Sequence, residues 1–226
     1  MLKPYYSDRS GIVIYHGDFR SIMPELENES ADLVLTDPPY GVGIKYESYK
    51  DELKATTGLV LEFLKHAIRV GRIVAFTAGK FDTEIALYRN DPPPKWRMCW
   101  YKGSQSTASP VGFNDWESVL IYGDRIHKNA HDYFYALPEK MGSFGHPCPK
   151  PLKFCTTLVS RLTKPGQTVL DPFMGSGTTL RAAKDLGRKA IGIDIEEKYC
   201  EVSAKRLAQE VLFGLPPEIV LYGIDI

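Results

Sequence analysis

The sequence predicts an α/β fold on a parallel-rich sheet, in a single domain. Three observations predict it. Short apolar runs, several of them continuous in Val, Ile and Leu, recur with helical stretches between them. One of these runs ends in a Gly-rich turn that leads directly into a helical pattern. The chain has 226 residues, and at about 150 residues per domain that length fits one large domain, or one carrying an insertion.

Seven strands are expected: Gly11–His16, Ala31–Thr36, Arg72–Thr77, Trp96–Lys102, Trp116–Tyr122, Gln167–Asp171 and Lys189–Asp194. A helix over Leu59–Val70 carries Leu61, Leu64 and Ile68 at helical spacing and stops at Gly71. The next, Leu152–Thr163, aligns Cys155, Leu158, Val159 and Leu162 and runs into Lys164-Pro165-Gly166. A third covers Thr178–Leu186 and stops at Gly187. The last, Glu197–Phe213, keeps Cys200, Ala204, Leu207, Ala208 and Val211 on one face and is closed by Gly214 and Pro216-Pro217. The stretches at 41–58, 89–95, 103–115 and 123–151 read as irregular, and loops of such length in a compact domain are often functional. Trp96, Trp100 and Trp116 lie on strands and are expected in the core.

With 43% hydrophobic, 25% charged and 12% aromatic residues, the composition excludes disorder, collagen and coiled coil. Cys99, Cys148, Cys155 and Cys200 form no CxxC pair, so reduced thiols and no zinc site are expected. The N-terminus lacks a signal-peptide apolar core, and no run reaches the roughly 18 apolar residues of a membrane span. A soluble cytoplasmic protein is the expectation. Lys plus Arg equals Asp plus Glu, 28 each, but the balance is uneven along the chain. Residues 11–37 carry a net −5 and residues 194–226 a net −4, whereas residues 38–193 hold 22 bases against 14 acids. A modest basic cleft on a neutral body follows, with salt-sensitive binding to a polyanion.

Two segments carry chemistry. In Val169–Thr179, VLDPFMGSGTT, a buried strand ends in Asp171, and Gly175 and Gly177 precede a helix start. Such a turn lets the backbone approach a ligand and offers helix N-terminal N–H groups. Asp194 closes the following strand, 23 residues on, near the roughly 20-residue offset at which an acid reaches ribose hydroxyls. The second segment is Asp37-Pro38-Pro39-Tyr40, directly after ADLVLT. Its prolines remove two backbone donors, so the turn presents a carboxylate and a carbonyl as paired acceptors beside an aromatic ring. A planar amino group offers two N–H donors and a base to stack, which matches. Asp91-Pro92-Pro93-Pro94 lacks the aromatic and reads as a loop. His127 and His131 lack a third ligand and read as solvated loop histidines.

Together these segments resemble the amino-methyltransferases that move a methyl group from S-adenosylmethionine to the exocyclic amine of a DNA base. Gly17-Asp18, Asn114-Asp115-Trp116-Glu117 and His146-Pro147-Cys148-Pro149-Lys150-Pro151 are similar to further elements of that family, from residue 11 to about residue 207. DPPY precedes the cofactor turn, the permuted order of the beta class. The resemblance implies a Rossmann-like seven-stranded methyltransferase sheet of order 3-2-1-4-5-7-6, with WESVLIY antiparallel. It implies catalysis at Asp37, Pro38, Pro39 and Tyr40. Cofactor binding falls to Asp18, Lys150, Asp171, Phe173, Gly175, Gly177, Thr178 and Asp194, and DNA contact to Tyr40 and Lys45. His146 is either a pocket or a structural residue.

Asp37 follows sheet strand four and Asp171 strand one, which flank the switch point where ligands bind, so both face one cleft. The amine is paired inside a duplex, so the base is flipped out, with Tyr40 as its stacking partner. By the same resemblance, DPPY rather than SPPY favours adenine N6. Cytosine N4 or an RNA base amine, and a non-catalytic cofactor- or DNA-binding relative, are the alternatives. Residues 41–57 are a candidate lid and residues 123–145 a minimal recognition segment, within one domain spanning 1–226. A segment this short implies a short or relaxed target sequence, or help from a homodimer mate, in a prokaryotic or phage-infected cell. No metal is expected.

Overall fold

Apolar runs without a polar face have to be covered on both sides, and here helices cover them. The computed structural model describes residues 2–45, 50–103, 108–109, 112–123 and 131–209. The strands are β1 (Tyr6–Ser7), β2 (Ile12–His16), β3 (Ala31–Thr36), β4 (Val42–Lys45), β5 (Lys50–Glu52), β6 (Gly71–Thr77), β7 (Trp96–Tyr101), β8 (Ala108–Ser109), β9 (Gly112–Phe113), β10 (Trp116–Tyr122), β11 (Tyr133–Tyr135), β12 (Thr168–Asp171) and β13 (Lys189–Asp194). The α-helices are α1 (Phe19–Ile22), α2 (Leu53–Val70), α3 (Phe81–Tyr88), α4 (Leu152–Leu162), α5 (Thr178–Asp185) and α6 (Glu197–Ala208).

Nine strands form the central sheet, in the order β1-β2-β13-β12-β3-β6-β10-β7-β11. The seven expected strands occur in the expected order, and β10 runs antiparallel to β6 and β7. Two strands of this sheet were not expected. β1 adds antiparallel to β2 and β11 adds parallel to β7, one at each edge. At two and three residues they are too short to show a period of their own. β4–β5 and β8–β9 are separate two-stranded ribbons.

The core has two halves. On one face Leu158 and Val159 of α4, Leu180 of α5 and Cys200 and Leu207 of α6 pack on Ile12, Leu33 and Val169. On the other, Val60, Phe63, Leu64 and Ala67 of α2 pack on Val34, Val74 and Phe76. α2 begins six residues before the expected Leu59, because the polar run before Gly58 hides the periodicity although Thr56 is buried. Gly71 joins α2 to β6 without a turn, and a Cβ there would meet Val34 Cγ2 at 2.5 Å. α6 ends at Ala208, where Gln209 turns extended; the expected stop at Gly214 lies outside the described residues. Of the tryptophans only Trp100 is core. It is 3% exposed and packs on Phe154 of α4 at 4.8 Å between ring centroids. Trp96 and Trp116, the first residues of β7 and β10, are 55% and 46% exposed. All four cysteines are free thiols, and no described helix is long and apolar enough to cross a membrane.

Asp8 ties the β1–β2 edge to the helices. Its carboxylate accepts the Ser10 and Ile12 N–H groups and pairs with Lys184 of α5 at 2.7 Å. Burial opposes ionisation there, but Lys184 and the other donors hold the carboxyl at about 2. A folded-state pKa below the unfolded one stabilises above about pH 4 and is lost as the pH falls through 2. Asp8→Asn is therefore expected to lower the melting temperature at pH 7, with the gap to wild type closing between pH 4 and 2 in thermal melts.

Candidate active site

The β12–α5 turn forms one wall of the site. Asp171 ends β12 and is 3% exposed. Its Oδ1 accepts the Thr36 hydroxyl at 2.5 Å and the Phe173 N–H at 3.2 Å. Burial, against these bonds, pushes its carboxyl up to about 7. Asp194, at the end of β13, accepts the Gly175 and Glu196 N–H groups at 2.8 and 2.9 Å, and burial pushes it up to about 6. It thus shapes the Gly turn while lining the cleft.

Gly175 and Gly177 have φ of +49° and +75°, and a Cβ would meet His146 Nε2 at 2.8 Å and Ser203 Oγ at 2.6 Å respectively. The glycines thus serve close packing of the turn against its own protein neighbours as well as ligand approach. Arg206 of α6 donates to the Ser176 carbonyl and stacks on Phe144 at 3.8 Å, bracing the turn from behind. Gly177 gives α5 no side-chain cap, and Thr178 opens the helix at the cleft wall. Phe173 packs on Phe19 at 5.1 Å. Asp18 caps α1 through the Arg20 N–H at 2.8 Å and pairs with the Arg20 guanidinium at 3.0 Å, at the cleft edge.

The opposite wall is the turn after β3. Asp37 Oδ1 accepts the hydroxyls of Thr77, from the end of β6, and of Tyr40, the latter at 2.7 Å. Its Oδ2 faces Lys150 Nζ at 2.7 Å. The Tyr40 hydroxyl also lies 2.9 Å from Lys150 Nζ and 2.9 Å from Glu117 Oε2. Glu117 Oε1 pairs with Lys102 at 3.0 Å. Burial raises the Tyr40 phenol well above its ordinary value, and Asp37 and Glu117 add to the rise. Burial pulls Lys150 down, but the same two carboxylates outweigh it and raise its pKa. For Glu117 the lysines outweigh burial and lower it. Both walls enclose one cleft of about 600 Å³, within the range of small-molecule sites.

Asp37, Pro38, Pro39, Tyr40, Asp18, Lys150, Asp171, Phe173, Gly175, Thr178 and Asp194 all line this cleft. The Lys150 ammonium is held by Asp37 and Tyr40 and stands over the Tyr40 ring, 4.8 Å from the centroid. His146 lines the cleft too, against Gly175 and 4.8 Å from the Tyr199 ring centroid; burial lowers its pKa. The lid candidate is divided. Residues 53–57 belong to α2, β4 and β5 make a ribbon, and residues 46–49 and the Lys45 side chain lie outside the described residues. His127 and residues 124–130 of the recognition candidate lie outside them as well. His131 is exposed. Among the described residues no three His, Cys, Asp or Glu side chains gather as metal ligands.

Sequence reasoning missed Thr36, Thr77 and Lys102. The first two end strands β3 and β6, and a Thr closing each of two adjacent parallel strands was the available signal. Lys102 follows an aromatic-rich strand and carried no signal of its own.

A family model described as DNA methylase, of the N6 and N4 kind, matches residues 78–205, more than half of the chain. The chain belongs to this DNA methylase family. It is 27% identical to the Type II methyltransferase M2.LlaDCHI of Lactococcus lactis subsp. cremoris over 95% of this chain and 96% of that one. Among solved structures, the PvuII DNA methyltransferase, described as cytosine-N4-specific, shares the fold at a TM-score of 0.72 and 20% identity, covering 97% of this chain and 93% of that one. An M1.HpyAVI–SAM complex matches at a TM-score of 0.64 and 24% identity, covering 87% and 98%.

Asp171 provides a direct check. Its folded pKa, about 7, lies above the ordinary unfolded carboxylate value near 4, so the folded state holds the extra proton between them and stability declines as the pH rises through that window. Asp171→Asn is expected to gain in melting temperature relative to wild type between pH 5 and pH 8.

Proposed function

We propose that this DNA methyltransferase methylates the N6 amine of adenine within a short DNA sequence, with S-adenosylmethionine as methyl donor, after flipping the base into the cleft. The observation that carries the reading is the meeting of the Asp37-Pro38-Pro39-Tyr40 turn and the Asp171 turn across one cleft. Asp18, Asp171, Asp194, Phe173 and the uncapped start of α5 are the residues that would hold the cofactor. Carboxylates suit its ribose and its cationic groups, and Phe173 offers an apolar surface for a purine. When bound, S-adenosylmethionine supplies an electrophilic methyl group on a sulfonium.

The chain's own residues then have defined tasks. An exocyclic base amine is a poor nucleophile because its lone pair is delocalised into the ring. Asp37 and the Pro38 carbonyl accept its two N–H bonds and favour a more tetrahedral nitrogen, so orientation is the main contribution and electrostatics the second. The amine proton leaves after methyl transfer, with Asp37 the nearest acceptor. The Tyr40 ring, backed by Gly79 and pinned at its hydroxyl, supports the flipped base. Lys150 fixes Asp37 instead of contacting the methyl donor, and Lys45 is the cation assigned to the DNA backbone. The relatives' description as Type II methyltransferases supports a role in restriction–modification.

The test is incubation with tritiated S-adenosylmethionine and duplex DNA, single-stranded DNA or RNA, followed by nucleoside analysis. Label in N6-methyladenine from duplex DNA is expected; N4-methylcytosine, or label in RNA alone, overturns the substrate assignment. Asp37→Ala is expected to reduce transfer by at least about a hundredfold, as removal of an oriented catalytic acceptor does, while cofactor binding persists. The raised pKa values of Asp171 and Asp194, about 7 and about 6, add a pH signature. Both lose protons as pH rises and attract a sulfonium more strongly, so calorimetry is expected to find tighter S-adenosylmethionine binding at pH 7.5 than at pH 5.5. Uncharged-sulfur S-adenosylhomocysteine is expected to gain less.

A further inference from the structure

We propose that Glu117, held by Lys102, is the acceptor that draws the Tyr40 hydroxyl proton away from Asp37, and so leaves Asp37 the stronger acceptor for the target amine. This rests on the reading of the Asp37–Tyr40 turn given above.

A phenol has one O–H to give and two lone pairs to receive with. The Tyr40 oxygen lies 2.7 Å from Asp37 Oδ1, 2.9 Å from Glu117 Oε2 and 2.9 Å from Lys150 Nζ. Lys150 can only donate, so the single proton serves one carboxylate at a time. Asp37 Oδ1 already receives the Thr77 hydroxyl, and Oδ2 faces Lys150. With the Tyr40 proton on it as well, Asp37 receives three donated hydrogens, from Thr77, Tyr40 and Lys150, which spread its charge and weaken it as an acceptor for an incoming amine. With the proton turned to Glu117, the phenol oxygen stays beside Oδ1 but gives it no hydrogen, so Asp37 keeps more of its charge and accepts an amine N–H more strongly, at the position on Oδ2 that Lys150 leaves free.

Glu117 is built to receive it. Lys102, whose side chain is 9% exposed, holds Oε1 at 3.0 Å and leaves Oε2 directed at Tyr40. The ring has little room to respond in any other way, since a Cβ on Gly79, at φ +70°, would stand 2.8 Å from Tyr40 Cδ1. What changes is the rotation of one O–H bond, with no bond made or broken. Glu117 acts through Tyr40 and is a positioning residue.

Glu117→Gln reverses the bias. The Lys102 ammonium keeps the amide oxygen, which turns the amide NH₂ toward the Tyr40 oxygen and leaves the hydroxyl proton on Asp37. The experiment measures single-turnover transfer from tritiated S-adenosylmethionine to duplex genomic DNA from a methylation-deficient host. It compares wild type, Glu117→Gln, Tyr40→Phe and the double variant, with cofactor and DNA dissociation constants measured alongside. Glu117→Gln is expected to slow transfer roughly tenfold, the scale of one charge-assisted hydrogen bond, with both dissociation constants unchanged. In the Tyr40→Phe background no hydroxyl competes for Asp37, so Glu117→Gln is expected to add nothing. An equal fall in both backgrounds, or none in the wild-type background, overturns the proposal. Glu117→Leu combined with Lys102→Met removes both buried charges and any acceptor facing Tyr40, guards against a folding artefact, and is expected to reproduce the slower step with an intact thermal transition. Full activity of Asp37→Ala would instead overturn the reading of the site itself, whatever Glu117 does.

Discussion

The parallel pairing of β12 with β3 is the constraint on which the site depends. Val169 sits opposite Leu33 and Leu170 opposite Val34, so the two strands end side by side and their turns lean over the same cleft. The chain connections on the two sides lead to helices on opposite faces, which leaves a crevice at the strands' carboxyl ends. The Thr36 hydroxyl bonded to Asp171 fastens the ends together at that point. A register slip of one residue would turn Val34 and Leu33 to the wrong faces and separate the two turns at once. Stability and function therefore share a single pair of strands.

Around that pairing, charge is concentrated where water is scarce. Asp37, Lys150, Glu117 and Lys102 form alternating pairs, with the Tyr40 hydroxyl joining the two carboxylates. Buried charges are costly alone, and here each has an opposite partner within 3.0 Å. Among the described residues Asp171 and Asp194 have no such cation in contact and are held by hydroxyl and backbone N–H donors, which is why burial dominates their titration. The cleft thus has a charge-paired wall at the Asp37 turn and an acidic wall with labile protons at the glycine turn. A cationic ligand fits the second wall and a neutral base amine the first.

The glycine turn illustrates how a local signature acquires more than one cause. Its glycines were legible as a ligand-binding pattern, yet His146 and Ser203 press on the positions where Cβ atoms would stand. Both neighbours come from segments distant in the chain. His146 arrives from the stretch before α4 and Ser203 from α6, whose Arg206 also reaches the Ser176 carbonyl. The turn is shaped by what surrounds it as much as by what it binds.

The seven expected strands, helices α2, α4, α5 and α6 and the two turns of the cleft were readable from the chain, because each is a local pattern of apolar spacing or turn chemistry, whereas the order of the strands in the sheet was implied by the family resemblance and helices α1 and α3 were not read at all. The edge strands β1 and β11 were not, since two or three residues have no period and pair only because a neighbour offers an open edge. Nor was the exposure of Trp96 and Trp116, which depends on where helices end over the sheet. The network at Asp37 belongs to the same class. Thr77, Glu117 and Lys150 lie 40 to 113 residues beyond Asp37, and only the folding of the sheet brings them within hydrogen-bond reach. The sequence by itself determined which residues carry a carboxylate beside two prolines and which strand precedes a glycine turn. The tertiary structure alone decided that Lys150 guards Asp37 and that Glu117 competes for the Tyr40 proton, because hydrogen-bond partners are chosen by distance in space, and distance along the chain carries no record of it.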